Sequence, residues 1–65
     1  MSFAKNNFRF PHQIVKGNRT KSLKTGNIIT VIQVSVAGQG SIITGENSDG
    51  KIESFFANSI LELVK

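Results

Sequence analysis

The sequence contains no cysteine, one histidine and one proline. Without thiols, neither a disulfide nor a thiolate metal site can staple the chain. A single imidazole, His12, cannot build a histidine cluster for a metal. No apolar run approaches the roughly 18 residues that a membrane-spanning helix needs. The opening Met1–Phe8 also lacks the apolar stretch of a secretory signal, so a cytoplasmic protein with no membrane partner is expected. Asn18-Arg19-Thr20 matches a glycosylation triplet, which reads as chance without a secretory route. The only acids are Glu46, Asp49, Glu53 and Glu62, scattered through the second half. No acid pair suits general acid–base work, and no third group would orient His12 beside a serine or threonine. The chain therefore reads as a non-enzyme that needs no cofactor. At 65 residues it is one domain with a small core.

What the sequence does have is an uneven charge. The net charge is +4. Lys5, Arg9, Lys16, Arg19, Lys21 and Lys24 all fall in residues 1–24, which carry no acid. Residues 25–65 hold only Lys51 and Lys65 against all four acids. This pattern predicts a basic N-terminal arm and loop over 1–25, followed by a near-neutral body over 26–65. Such an arm is the footprint of a polyanion-binding module, or simply a solvated tail.

The body is organised around Asn27–Val36, where Ile and Val dominate and no charge occurs. β-Branched side chains lose rotamers in a helix and suit a pleated sheet, so this run is a strand. Its apolar residues fall on both parities, which predicts a bulge near Ile32–Gln33 or a barrel corner. Ala37-Gly-Gln-Gly40 is a turn, because neither a helix nor a Gly-Lys-Ser/Thr follows to make a phosphate loop. Ser41–Thr44 reads as a second strand, Asp49-Gly50 as a hairpin turn, and Lys51–Ala57 as a third strand. Within that third strand, Ile52 and Phe56 share one face. Lys51, Glu53 and Phe55 share the other. A charged face belongs in water, so Phe55 is expected to be an exposed aromatic. Ser59–Glu62 has capping-box spacing, yet too few residues follow for a stable helix. A 3₁₀ turn before a last strand at Glu62–Lys65 is expected, with Leu61 and Val64 inward.

In the leading segment, Phe8-Arg9-Phe10 alternates, and Pro11 limits it to an edge strand within 7–15 or an extended arm. Phe8 and Phe10 then share one face. They either cap an open barrel end or offer a stacking platform beside Arg9. The fold expected is all-β: a small barrel of about five short antiparallel strands, a 3₁₀ turn before the last one, and the basic extended arm.

Gly26-Asn-Ile-Ile-Thr-Val-Ile, Gly38-Gln-Gly-Ser-Ile, Asp49-Gly and Phe56-Ala-Asn-Ser-Ile-Leu-Glu-Leu-Val together resemble the SH3-like barrels. They are most similar to the KOW-type domains of ribosomal proteins and transcription elongation factors. Gly26, Ile29, Val31, Gly40, Ile42, Leu61 and Val64 fit the places that family gives to turn glycines and core aliphatics. Asn27 stands where the family usually has an acid, and Gln33–Gln39 lacks the Gly and Lys that many such loops turn toward nucleic acid. A second resemblance, of Asn7-Phe-Arg-Phe-Pro11 to the plasmid-borne type of dihydrofolate reductase, lacks that family's pore segment, since Glu53-Ser-Phe-Phe56 has neither its glutamine nor its tyrosine. The KOW resemblance implies the fold, and fold does not fix function.

Two functions are carried forward. One is nucleic-acid binding, to RNA or DNA, through Lys5, Arg9, Lys16, Arg19, Lys21 and Lys24 with Phe8, Phe10 or Phe55 as stacking faces. The alternative is a protein–protein interaction module that meets an acidic protein surface, such as a docking subunit or a phage or mobile-element protein that binds a host protein. An open barrel edge also leaves room for a homodimer.

Overall fold

The computed structural model describes residues 7–64. Among them the chain is all-β. β1 (Phe8–Arg9) leads into a 3₁₀ turn (Pro11–Gln13), then β2 (Arg19–Lys21), β3 (Ile28–Ala37), β4 (Gly40–Asn47), β5 (Ile52–Ala57) and β6 (Leu61–Glu62). β2, β3, β4 and β5 form one antiparallel sheet in that order, and β1 pairs with β6 in a second, two-stranded sheet. The two sheets are joined where Thr20 bridges Leu63 and the Val64 amide donates to the Arg19 carbonyl at 2.7 Å. The four-stranded sheet curls into a half-barrel, and β6 with β1 leans on its first strand.

β3 is the long β-branched run, and its pairing with β4 shifts register between Val31 and Gln33. The bulge expected near Ile32 is therefore present. It leaves Ile32 exposed and turns Val34 back onto the core beside Ile29 and Val31. An extra residue on one strand bends it and raises the local twist, which is what a sheet this narrow needs in order to curl. The β3–β4 hairpin turns at Gly38, whose φ of 60° is open to glycine at little steric cost. Gly45 answers a different need. A Cβ there would lie 2.6 Å from the Thr30 carbonyl oxygen and 2.9 Å from Ile29 Cδ1, so the bare backbone is what lets β3 and β4 close up.

The concave face holds the core: Ile14, Ile29, Val31, Ile43, Phe55, Ala57 and Leu61, with Val34 and Leu63 packed against it. Two buried hydroxyls are satisfied within the chain. Thr20 donates to the Glu62 carbonyl at 3.1 Å, and Ser22 Oγ accepts from the Lys24 and Thr25 amides.

Three sequence expectations are corrected. First, β5 faces the other way: Phe55 is 5% exposed and in the core, whereas Ile52 and Phe56 are 60% and 48% exposed. Second, the helical turn lies at Pro11–Gln13, not before the last strand. Leu61 must already be extended to pair with Arg9, so residues 58–60 have room only for a bend. Leu61 does point inward, and Val64 is half-buried. Third, of the two readings of the leading segment, the edge strand within 7–15 is the one present and the free arm is not, from Asn7 onward. Ile14 sits in the core, β1 and β2 are paired, and Asn18 and Gly17 exchange backbone bonds with Val31 at the bulge. Apolar burial of Ile14 outweighs the local polarity of its neighbours in deciding where that segment lies.

Candidate nucleic-acid interface

β2 is short because its neighbours are polar and basic, and alternation splits it cleanly. Thr20 points into the body, while Arg19 and Lys21 stand exposed on the other side. Their partners on β3 are Thr30 and Ile28, and beyond Thr30 the row reaches Glu46 on β4. Neither side chain makes a hydrogen bond or ion pair with another described residue. Lys16 and Lys24 are likewise exposed and unpaired among the described residues.

Beside Lys21 the surface sinks into an open groove of about 730 Å³ between β2 and the β1–β6 pair. Phe8 and Ile60 line it with Lys21, Leu23 and Ile28. Phe8 is 39% exposed and lines the groove. One wall carries an acid, Glu62, which lies opposite Phe8 in the β1–β6 pair. Phe10 is also exposed and stacks on His12, with ring centroids 5.9 Å apart and planes 14° apart. That stacking is held by the turn itself, in which the Phe10 amide donates to Gln13 Oε1 at 3.0 Å and Gln13 N–H donates to the Phe10 carbonyl at 2.8 Å. Arg9 pairs with Leu61 and so belongs to β1, and its guanidinium donates to the Phe8 carbonyl at 2.7 Å.

The residues expected from sequence thus divide. Phe8 and Lys21 come together at one groove. Arg19 shares the strand face of Lys21 but lines a separate, smaller hollow with Thr30 and Glu46. Lys24 lies beyond Leu23, which lines both this groove and a smaller one along β5. Phe10 and Arg9 sit on the same leading segment but outside the groove lining. Lys16 is set apart in a loop. Lys5 lies outside the described residues. Phe55 is removed from the site by its burial, and Phe56 is the exposed aromatic in its place. Ile60 and Leu23 were missed, and only their apolar character in otherwise polar loops could have marked them.

Glu53 explains the reversal of β5. Its carboxylate accepts from Thr25 Oγ1 at 2.6 Å, Asn27 Nδ2 at 2.7 Å and Asn47 Nδ2 at 2.7 Å. These bonds hold its pKa at about 2, well below the ordinary 4.5, with the Thr25 hydroxyl the largest cause. These donors hold the carboxylate at the rim of the inward face, still within reach of water. It ties the β2–β3 loop to β5 and closes the half-barrel where backbone pairing does not.

No group of three or more His, Cys, Asp or Glu gathers at a metal-binding distance among the described residues. No helix among them is long and apolar enough to cross a membrane. Comparison with protein-family models, with curated proteins and with solved structures gave no match for this chain. The class that fold and groove define is a small curled-sheet protein with an open groove in which Phe8, Lys21 and Glu62 meet.

Proposed function

We propose that this chain is a non-enzymatic module that binds nucleic acid, RNA or DNA, in single-stranded form. The observation that carries the reading is the meeting of an exposed Phe8 ring with Lys21 in one groove, with Arg19 beside it on the same strand face. Unpaired bases stack on aromatic rings for about 1–3 kcal/mol each, with little regard to sequence. Unpaired cations alongside take the phosphates and release counterions. A duplex cannot offer its bases to Phe8 in this way, so single strands are preferred. Phosphate contacts carry no base information, so selectivity among sequences is weak.

The test is a fluorescence titration with short oligo(dT), oligo(U) and a duplex over about 50–200 mM salt. If Arg19, Lys21 and Lys24 each meet a phosphate, the log–log slope for single strands is about −2. Phe8→Ala should weaken binding without changing that slope. Absence of affinity at low salt, or a flat salt response, would refute the reading.

A second reading, docking on an acidic protein surface, draws on the extent of exposed aliphatic surface, with Val15, Leu23, Val36 and Ile52 all in solvent. Capture of one stoichiometric protein after nuclease treatment would favour it.

A further inference from the structure

The groove beside β2 holds one aromatic ring, one cation and one acid among the described residues: Phe8, Lys21 and Glu62. The backbone of Glu62 is in use, since its carbonyl accepts from the Thr20 hydroxyl at 3.1 Å. Its carboxylate is not. That group stands exposed and makes no hydrogen bond or ion pair with another described residue. A bare negative charge beside phosphate-binding cations weakens binding of any polyanion, unless part of the ligand needs it.

Strand register says which part. Phe8 and Glu62 lie opposite each other in the β1–β6 pair. The Leu63 amide donates to the Asn7 carbonyl at 2.7 Å, so Asn7 and Leu63 form a hydrogen-bonded pair. Bonded and unbonded pairs alternate along an antiparallel ladder, which makes Phe8–Glu62 an unbonded pair, the kind whose side chains lie closer. On the other side of β6, Thr20 bridges Leu63, and the Val64 amide donates to the Arg19 carbonyl. The same register sets Lys21 beside Glu62, and Lys21 pairs in turn with Ile28. Residues directly opposite share a face. One row across the groove therefore reads phenyl, carboxylate, ammonium, isoleucine.

The Cβ atoms of such a pair are about 4.5–5.5 Å apart, so a base lying on Phe8 has its edge within reach of Glu62. An ionised carboxylate only accepts hydrogen bonds, and it can accept a bidentate pair. Uracil and thymine flank their ring N–H with carbonyl oxygens, which a carboxylate repels. Adenine and cytosine set their amino group next to a bare ring nitrogen. Guanine alone places two donors side by side, N1–H and the 2-amino group, to match both carboxylate oxygens. Single strands leave that edge free. A cationic ligand would also suit the carboxylate, but the adjacent Lys21 and a net charge of +4 oppose it.

We infer that Glu62 reads a base: it gives the groove a preference for guanine at the nucleotide stacked on Phe8. The inference rests on the nucleic-acid reading and names what that site selects. Phosphate contacts stay indifferent to sequence, so the preference is confined to one position.

The test is fluorescence anisotropy with a labelled oligo(dT) of about ten nucleotides at low salt. One central thymine is replaced by guanine, hypoxanthine or adenine. Adenine controls for the larger stacking area of a purine, and hypoxanthine keeps N1–H but lacks the 2-amino group. The guanine oligonucleotide should bind about tenfold tighter than the adenine one, with hypoxanthine between them. In Glu62→Ala, guanine and adenine should become equal. Oligo(dT) itself should bind that variant more tightly, because a negative charge has left the groove. A merely structural role for Glu62 would weaken every oligonucleotide instead. The inference is overturned, with the nucleic-acid reading intact, if all the oligonucleotides bind alike or if the guanine preference survives Glu62→Ala. Failure of every oligonucleotide to bind removes both.

Discussion

β1 spans two residues and is followed within two positions by Pro11, whereas β5 runs for six residues without a proline. Both strands lie at the outer limits of the strand array, yet they meet water differently. The β1–β6–β2 side is short-stranded, basic and grooved. The β5 side is regular, neutral and apolar on its outward row. The difference shows that a small chain can keep surfaces of unlike chemistry apart by giving each its own side of the sheet. Charge at one edge discourages strand addition and attracts polyanions. Its absence at the other leaves apolar side chains in solvent.

The comparison breaks most easily at Phe55, the inward residue of β5. Phe55→Ala should cost about 3–5 kcal/mol, enough to unfold a core this small. Phe56→Ala, one residue along and on the outward row, should cost no more than about 1 kcal/mol. Urea denaturation of the two variants measures the contrast. Equal losses would mean that β5 has no distinct inner and outer faces.

Gly45→Ala tests the closeness of β3 and β4 that sets both edges at their distance. The added methyl meets backbone on β3, so a loss of about 1–3 kcal/mol is expected by the same denaturation measurement. A variant as stable as the parent would show that the strands are free to move apart.

Glu53 links the two sides through the β2–β3 loop, and its effect should appear as a pH dependence. Its pKa lies near 2 in the folded protein and near 4.5 ordinarily. The unfolded chain therefore binds the proton more readily. The carboxylate's contribution is fully present above pH 4.5 and is lost as pH falls toward 2. Thermal melts across that window should show the parent losing stability and Glu53→Gln changing much less.

The smallest effect belongs to the cations. Arg19→Ala and Lys21→Ala should each reduce the salt slope of single-strand binding by about 0.7, with melting unchanged. An unchanged salt slope would mean that neither cation meets a phosphate.

Much of this was legible from local chemistry. The Ile/Val run gave β3, the two-parity pattern gave its bulge, and Gly38 and Asp49-Gly50 gave the hairpins. The cations of the groove stood out by composition alone. The groove itself did not, because Phe8 meets it only by pairing with Glu62, which lies far along the chain. The end of the leading segment was hidden for the same reason: Ile14 looks like one aliphatic among polar residues until β3 and β4 supply the core it fills.

Strand identity and turn position follow from β-branching, glycine and proline, which act within a few residues. Alternation along β5 likewise requires two faces, but it is silent on which of them is dry. That was decided by Thr25, Asn27 and Asn47, which the fold brings to Glu53 from 28, 26 and 6 residues away. Three donors hold the carboxylate at the rim of that face while Phe55 and Ala57 fill the core, and only the tertiary structure supplies them.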